Sequence, residues 1–282
     1  MRVYGNTHGI NAGYPSSRYS LSCMVIGAQD NDMQRDYAYT VSRKSSLLQS
    51  AASVGIDAAK ATVDRLGARK INTANVPVLL HRDIASSLFG HYVGAISGGS
   101  LYRRSSFLLD SLGKQVFPEW LNIEERPLIK GGLASSSFDN EGVACADMTI
   151  VDAGQLATYL YTTYSSRKLN TRSNGHAGGI HNWLVGDTGH SDADLLKEMG
   201  TGLFVTELMG QGVNGVTGDY SRGAAGYWVE NGIIQYPVHE VTIAGNLKDM
   251  FKGIVAIGAE KDVRGSVQTG SVLIDQMKIA GS

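Results

Sequence analysis

Apolar and polar positions alternate with two different periods along this chain, and the changes of period mark its elements. Arg18 to Ile26 and Met33 to Val41 alternate as strands do, with Tyr19, Leu21, Cys23 and Val25 on one face, and the polar Gln29-Asp30-Asn31-Asp32 between them predicts a hairpin turn. From Lys44 to Leu66 the period becomes helical: Leu48, Ala52, Ala59, Val63 and Leu66 share a face, Gly55 is a potential break and Gly67 a natural C-cap. Val76 to Leu80 predicts a short strand. Ile84, Leu88, Tyr92 and Ile96 predict a helix with Asp83 as its N-cap. Phe107 to Arg126 is irregular, Pro127 to Ser137 and Gly142 to Val151 read as strands around Asp139-Asn140-Glu141, and Leu156 to Lys168 fits either period.

In the second half, Ser191 and Asp194 have capping-box spacing at the start of a short helix ending at Gly200, and Leu203 to Met209 reads as a strand. A glycine-rich loop follows, with Gly210, Gly212, Gly215 and Gly218. Then Asn231-Gly232 falls between two β-prone runs, Gly226 to Glu230 and Ile233 to Val238, where a two-residue hairpin turn is favoured. Asn246 caps a helix in which Leu247, Met250, Phe251, Ile254 and Ile257 keep helical spacing, and Gly270 to Ile279 is a closing strand. Strands and helices come in unequal bunches, so the expected class is α+β, with mainly antiparallel or mixed sheets and flanking helices. A boundary near Gly67 divides the chain into 1–67, a hairpin plus helix, and a β-rich region with helices over 68–282.

Composition narrows the function. With 43% hydrophobic and 18% charged residues, the 282-residue chain can bury a sizeable core. Its net charge of -1, with no basic cluster longer than Arg103-Arg104 or Arg167-Lys168, argues against nucleic-acid partners. Two cysteines, Cys23 and Cys145, make neither a disulfide framework nor a metal knuckle, and read as buried apolar residues of a cytoplasmic protein. No apolar run reaches the length of a membrane span. Gly210-Gln211-Gly212-Val213-Asn214-Gly215 satisfies a dinucleotide fingerprint, but no helix is expected to begin there, so the amides that would hold a pyrophosphate are missing.

The stretch from Val216 to Leu247, VTGDYSRGAAGYWVENGIIQYPVHEVTIAGNL, resembles the C-terminal signature of the PmbA/TldD proteins, and of their PmbA (TldE) branch in particular. The resemblance covers nearly all of the chain and implies that most of a smaller N-terminal part is absent, with Met1 an internal methionine of a longer parent. TldD-type relatives carry a His-Glu-x-x-x-His helix that holds zinc, with the glutamate as base. In the matching segment here, PVLLHRDIASSLFG, His81 remains, Arg82 stands at the glutamate position and Ser86 at the second histidine. A guanidinium neither serves as base nor tolerates a neighbouring cation. The cysteine that the catalytic relatives have near Gly218 to Gly226 is missing too. The resemblance therefore implies a non-catalytic subunit that binds no cofactor itself, beside a TldD-like partner that holds the zinc. The substrates it implies are unfolded or extended peptides, in leader-peptide removal and antitoxin turnover.

Other chemistry is weaker. His176, His181 and His190 lie close together in sequence and are an alternative metal set, but no carboxylate or thiol falls at a regular ligand spacing, which favours imidazoles bonded to backbone or solvent. Ser221 lacks the glycine that a nucleophile elbow needs two residues earlier, and Asp219, Glu230 and Glu240 are spread over a hairpin. Two classes of function stay open: a peptidase subunit whose sheet edge accepts an extended peptide, and a stand-alone peptide-binding or scaffold protein, for which a homodimer in isolation is compatible with the sequence.

Overall fold

Two hairpins open the chain in the computed structural model, which describes residues 1–30 and 32–281. β1 (Arg2–Gly5) and β2 (Asn11–Tyr14) pair antiparallel, and Tyr4 and Tyr14 pack against Phe138 with ring centroids 6.1 and 5.5 Å away. β3 (Tyr19–Gln29) and β4 (Asp32–Ser42) form a longer ladder, from Tyr19 opposite Ser42 to Gln29 opposite Asp32. Asn31 of the expected turn lies outside the described residues. After a 3-10 turn at Ser45–Leu47, α1 (Ala51–Val63) begins at Ser50, whose hydroxyl accepts from Ser53 N, and lies across the Leu21, Cys23 and Val25 face of the hairpin. The opposite face leaves Met24, Ile26, Met33 and Tyr37 exposed. Gly55 does not interrupt α1, because packing on the hairpin overrides its low propensity; the helix ends at Asp64, and Gly67, at φ +72°, closes the turn after it.

The remaining elements build two sheets around one core. β5 (Ala74–Leu80) leads directly into α2 (Arg82–Ala95), followed by α3 (Gly98–Tyr102), β6 (Ile123–Glu125), β7 (Met148–Asp152) and β8 (Gln155–Leu156). Then come α4 (Thr163–Lys168), β9 (Trp183–Val185), α5 (Asp192–Met199), β10 (Gly202–Met209), β11 (Asp219–Glu230) and β12 (Ile233–Asn246). The chain ends with α6 (Leu247–Lys252), β13 (Ile254–Ile257), β14 (Val267–Gln268) and β15 (Val272–Ala280). The larger sheet runs β12-β11-β10-β5-β15-β13, and a further pairing of β12 with β15 closes it into a ring. The smaller runs β14-β9-β6-β7-β8. Among the strands of the described residues only β10 with β5 and β14 with β9 pair in parallel, so the sheets are mixed and mainly antiparallel.

Local chemistry accounts for several of these elements. Asn231 and Gly232 take φ of 51° and 73°, the pair of positive values that a tight hairpin turn needs. Ser191 and Asp194 form the reciprocal capping box. Val78, Leu79 and Leu80 are fully buried because β5 is covered on both sides: Val78 and Leu80 face the main core, and Leu79 faces Leu195 and Met199 of α5. In the main core, Phe117 stands 4.9 Å from the rings of both Tyr92 and Phe251, which ties α2 and α6 to the segment before β6.

Elsewhere the pattern and the structure differ. Pro127–Ser137 is a loop, bent at Gly131 (φ +81°) and held by Asn182, whose amide accepts from Ala134 N and donates to Ser135 Oγ; of Gly142–Val151 only the end is strand. The helix after Asn246 stops at Gly253, and Ile254 and Ile257 belong to β13. Leu156–Lys168 contains both structures, extended at Leu156 and helical from Thr163. α2 is capped by His81 and not by Asp83.

Two glycines test this architecture. A Cβ on Gly55 would meet nothing within 4 Å, whereas one on Gly226 would lie 1.9 Å from Phe204 O, at the irregular crossing of β10 and β11. Gly55→Ala should raise stability by about 0.5–1 kcal/mol. Gly226→Ala should lower it by about 2 kcal/mol or more, both read from urea unfolding midpoints.

Candidate functional site

A trough runs along the outer face of α2. The helix buries Ala85, Leu88, Phe89, Tyr92 and Ala95, which leaves Ser86, Ser87, Gly90, His91 and Gly94 on the other side. Three cavities line up there and share residues. One of about 290 Å³ lies between the start of α2, the exposed face of the β3–β4 hairpin and β10–β11, and includes Met24, Tyr37, Ser86, Ser87, Glu207 and Arg222. A second, about 430 Å³, continues along Ser86, Ser87 and Gly90 under Gly178, Gly179 and Ile180. A third, about 310 Å³, reaches from Gly90 and His91 to Phe107 and Gly215. Fourteen residues of α2 at about 1.5 Å each give the trough the length of roughly six extended residues.

The first turn of α2 is fixed by neutral hydrogen bonds and ion pairs. His81 N donates to Val205 O, Arg82 N donates to Ser271 Oγ, and His81 Nδ1 accepts from Asp83 N at 3.4 Å. Burial pulls His81 below its usual pKa against the attraction of Asp83 and Asp192, so the imidazole is neutral and acts as a cap. Arg82 is ion-paired with Glu260 and Asp192. Arg264 binds Asp83 and Asp262 and lies over the Tyr39 ring of the hairpin, 4.3 Å from its centroid. Arg65, after α1, binds Asp36 and Glu207 and so joins hairpin to ring. His81, Arg82 and Ser86 do not fit a zinc ion: one nitrogen of the imidazole is engaged by the helix backbone, a guanidinium stands beside it, and Ser86 offers only a neutral hydroxyl. Among the described residues no group of three or more His, Cys, Asp or Glu side chains is arranged to hold a metal.

The wall formed by Gly178 and Gly179 rests on a buried carboxylate. Glu125, at the end of β6, is 2% exposed; Oε1 lies 2.8 Å from His181 Nδ1, Oε2 lies 3.0 Å from His176 Nε2, and Oε2 also accepts from Trp183 Nε1. Asn174 Oδ1 meets His176 Nδ1, and Cys145 Sγ lies 3.7 Å from His181 Nε2. Burial opposes the charge on Glu125, but His176, His181 and Trp183 outweigh it and hold the carboxyl down at about 2. Burial likewise opposes the imidazolium of His181, and Cys145 and Glu125 outweigh it, raising it to about 9. His176 and His181 thus converge on a carboxylate more than fifty residues earlier. His190 does not join them: it meets Thr188 Oγ1 and Glu198.

The other sequence candidates stay apart. Asp219 accepts from Thr217 and Asn246, Glu230 from Trp228 Nε1, and Glu240 pairs with Lys70. Cys23 is a half-buried strand residue. Gly210 to Gly215 leads into β11 and not into a helix; Gly212 turns close against Ser221, whose N–H its carbonyl accepts. No helix among the described residues is long and apolar enough to cross a membrane.

Fold and site together define a metallopeptidase-family chain: it belongs to the PmbA/TldD family, with residues 73–281 matching the PmbA/TldA metallopeptidase C-terminal domain and residues 1–66 the central domain. It falls with the PmbA branch and is 57% identical over 281 residues to Metalloprotease PmbA of Escherichia coli O157:H7, a match covering 100% of this chain and 62% of that relative. The chain therefore spans less than two thirds of the relative's length. A candidate modulator of DNA gyrase from Bacteroides thetaiotaomicron superposes with a TM-score of 0.93 at 25% identity, over 98% of this chain and 63% of that one. TldE from Thermococcus kodakarensis shares the fold, with a TM-score of 0.86 at 18% identity over 98% and 65%.

The buried charges predict how stability depends on pH. His181, raised from 6.5 to about 9, contributes fully below pH 6.5 and loses that contribution as pH rises through about 9. Glu125, lowered from 4.5 to about 2, contributes fully above pH 4.5 and loses it as pH falls through about 2. Thermal midpoints should therefore be highest between pH 4.5 and 6.5 and decline toward pH 9, and His181→Gln should flatten the alkaline decline. Glu125→Gln should cost about 3–5 kcal/mol.

Proposed function

We propose that this chain is the non-catalytic, peptide-holding subunit of a TldD/TldE-type zinc protease of the cytoplasm. The cutting zinc belongs to a TldD-like partner, and the substrates are unfolded or extended peptides, including leader segments and antitoxin-like proteins. One observation carries the reading: α2, which the resemblance aligns with the metal-bearing helix of catalytic relatives, borders a peptide-sized trough, and His81, Arg82 and Ser86 stand there as a cap, an ion-paired arginine and a serine. The name of the Escherichia coli relative, a metalloprotease, supports the activity class.

The trough suits an extended chain in two ways. Met24 and Tyr37 give one wall an apolar surface, and β3 and β4 pair only with each other among the described residues, which leaves strand edges open to a further strand. Small residues on the outer face of α2 let peptide backbone approach closely, so binding of this kind reads shape and backbone more than sequence.

Mixing the purified chain with a TldD-like subunit should create chelator-sensitive hydrolysis of an unstructured peptide that neither shows alone. A chain that binds peptide with no gain on mixing would instead be a self-contained binder.

A further inference from the structure

We propose that Arg222 and His91 form a carboxylate-reading subsite within the α2 trough, which selects bound peptide for an acidic side chain or a free C-terminus at that point. The proposal rests on the peptide-holding reading of the trough. Three arginines around the trough are each balanced by two carboxylates: Arg65 by Asp36 and Glu207, Arg82 by Asp192 and Glu260, and Arg264 by Asp83 and Asp262. Arg222 differs. Among the described residues no carboxylate lies within 4.0 Å of it, and its Nε is buried without a hydrogen-bond partner. It lines the cavity that Glu207 also borders, but Glu207 is held by Arg65. Arg35, exposed on the hairpin, is a second cation bordering that cavity with no ion pair among the described residues.

His91 completes the arrangement from the helix side. Its Nε2 is also buried without a partner, and its ring stands edge-on to Tyr220, with centroids 5.9 Å apart. Tyr220, two residues before Arg222 on the same face of β11, links Arg222, which borders the first cavity, to His91, which borders the third. Burial, reinforced by Arg222, lowers the pKa of His91, which keeps the ring neutral and able to donate one hydrogen bond. Orphaned buried donors are rare and costly, and they mark where a polar partner is missing. A neutral amide would satisfy the hydrogen bonds but leave the guanidinium charge uncompensated, whereas a carboxylate satisfies both.

Fluorescence anisotropy with the purified protein and three fluorescein-labelled alanine/serine peptides tests this. One has a central glutamate and an amidated C-terminus, one a central glutamine and an amidated C-terminus, and one a central glutamine and a free C-terminus. At least one acid-bearing peptide should bind about tenfold tighter than the neutral one, and which one identifies the source of the carboxylate. Arg222→Gln should abolish the difference in affinity between the acid-bearing and the neutral peptide. Arg222→Met, which keeps the apolar stem, should do the same if the first variant does not fold. Equal binding of all three peptides, or an acid preference that survives both substitutions, overturns the subsite and leaves the trough reading standing. If no peptide binds at all, the trough reading falls and the subsite with it.

Discussion

The start of α2 is the point on which the rest of the structure turns, and what holds it is charge balance between arginines and carboxylates. Arg65 and Arg264 each reach from one body to another: the first joins α1 and the hairpin to β10, the second joins the segment before β14 to the first turn of α2 and to Tyr39. Isolated surface ion pairs contribute little, but here each guanidinium is partly buried and shared between two carboxylates, so the geometry is over-determined. The width of the trough follows from these pairs, because they set how far the hairpin stands from the helix.

The opposite wall is built on a similar principle with the signs reversed. One buried carboxylate, Glu125, gathers two histidines and a tryptophan from the 176–183 segment, and the glycines between those histidines border the trough. A fully satisfied buried network of this kind fixes one loop conformation, since every alternative leaves a charge unpaired. Stability and the shape of the trough are thereby linked: the residues that hold the loop are buried, while the glycines they position border the trough.

Features encoded locally were legible in the sequence. Asn231-Gly232, the Ser191–Asp194 box and Asn246 each act within a few residues, and each formed as its chemistry requires. Closure of the ring was not legible, because β12 and β15 meet through pairs such as Ile243 with Ile279 that no local pattern announces. Pro127–Ser137 had strand-like composition, yet Asn182, far along the chain, holds it as a loop. The histidine cluster was visible, but Glu125 was not, since nothing in its surroundings marks it as buried. Arg222 carries one signal of its place: it alternates with Tyr220 and Ala224, both buried, which places a charged residue in an inward-facing row.

The resemblance implied what spacing could not, a degenerate metal motif at His81, Arg82 and Ser86, and the structure supplied the capping and ion pairing of the first two; we propose that these three residues do not hold zinc. Calorimetric titration of zinc into the isolated protein tests that account most directly. It predicts no stoichiometric site. A tightly bound zinc at one per chain, abolished by His81→Ala, would contradict it.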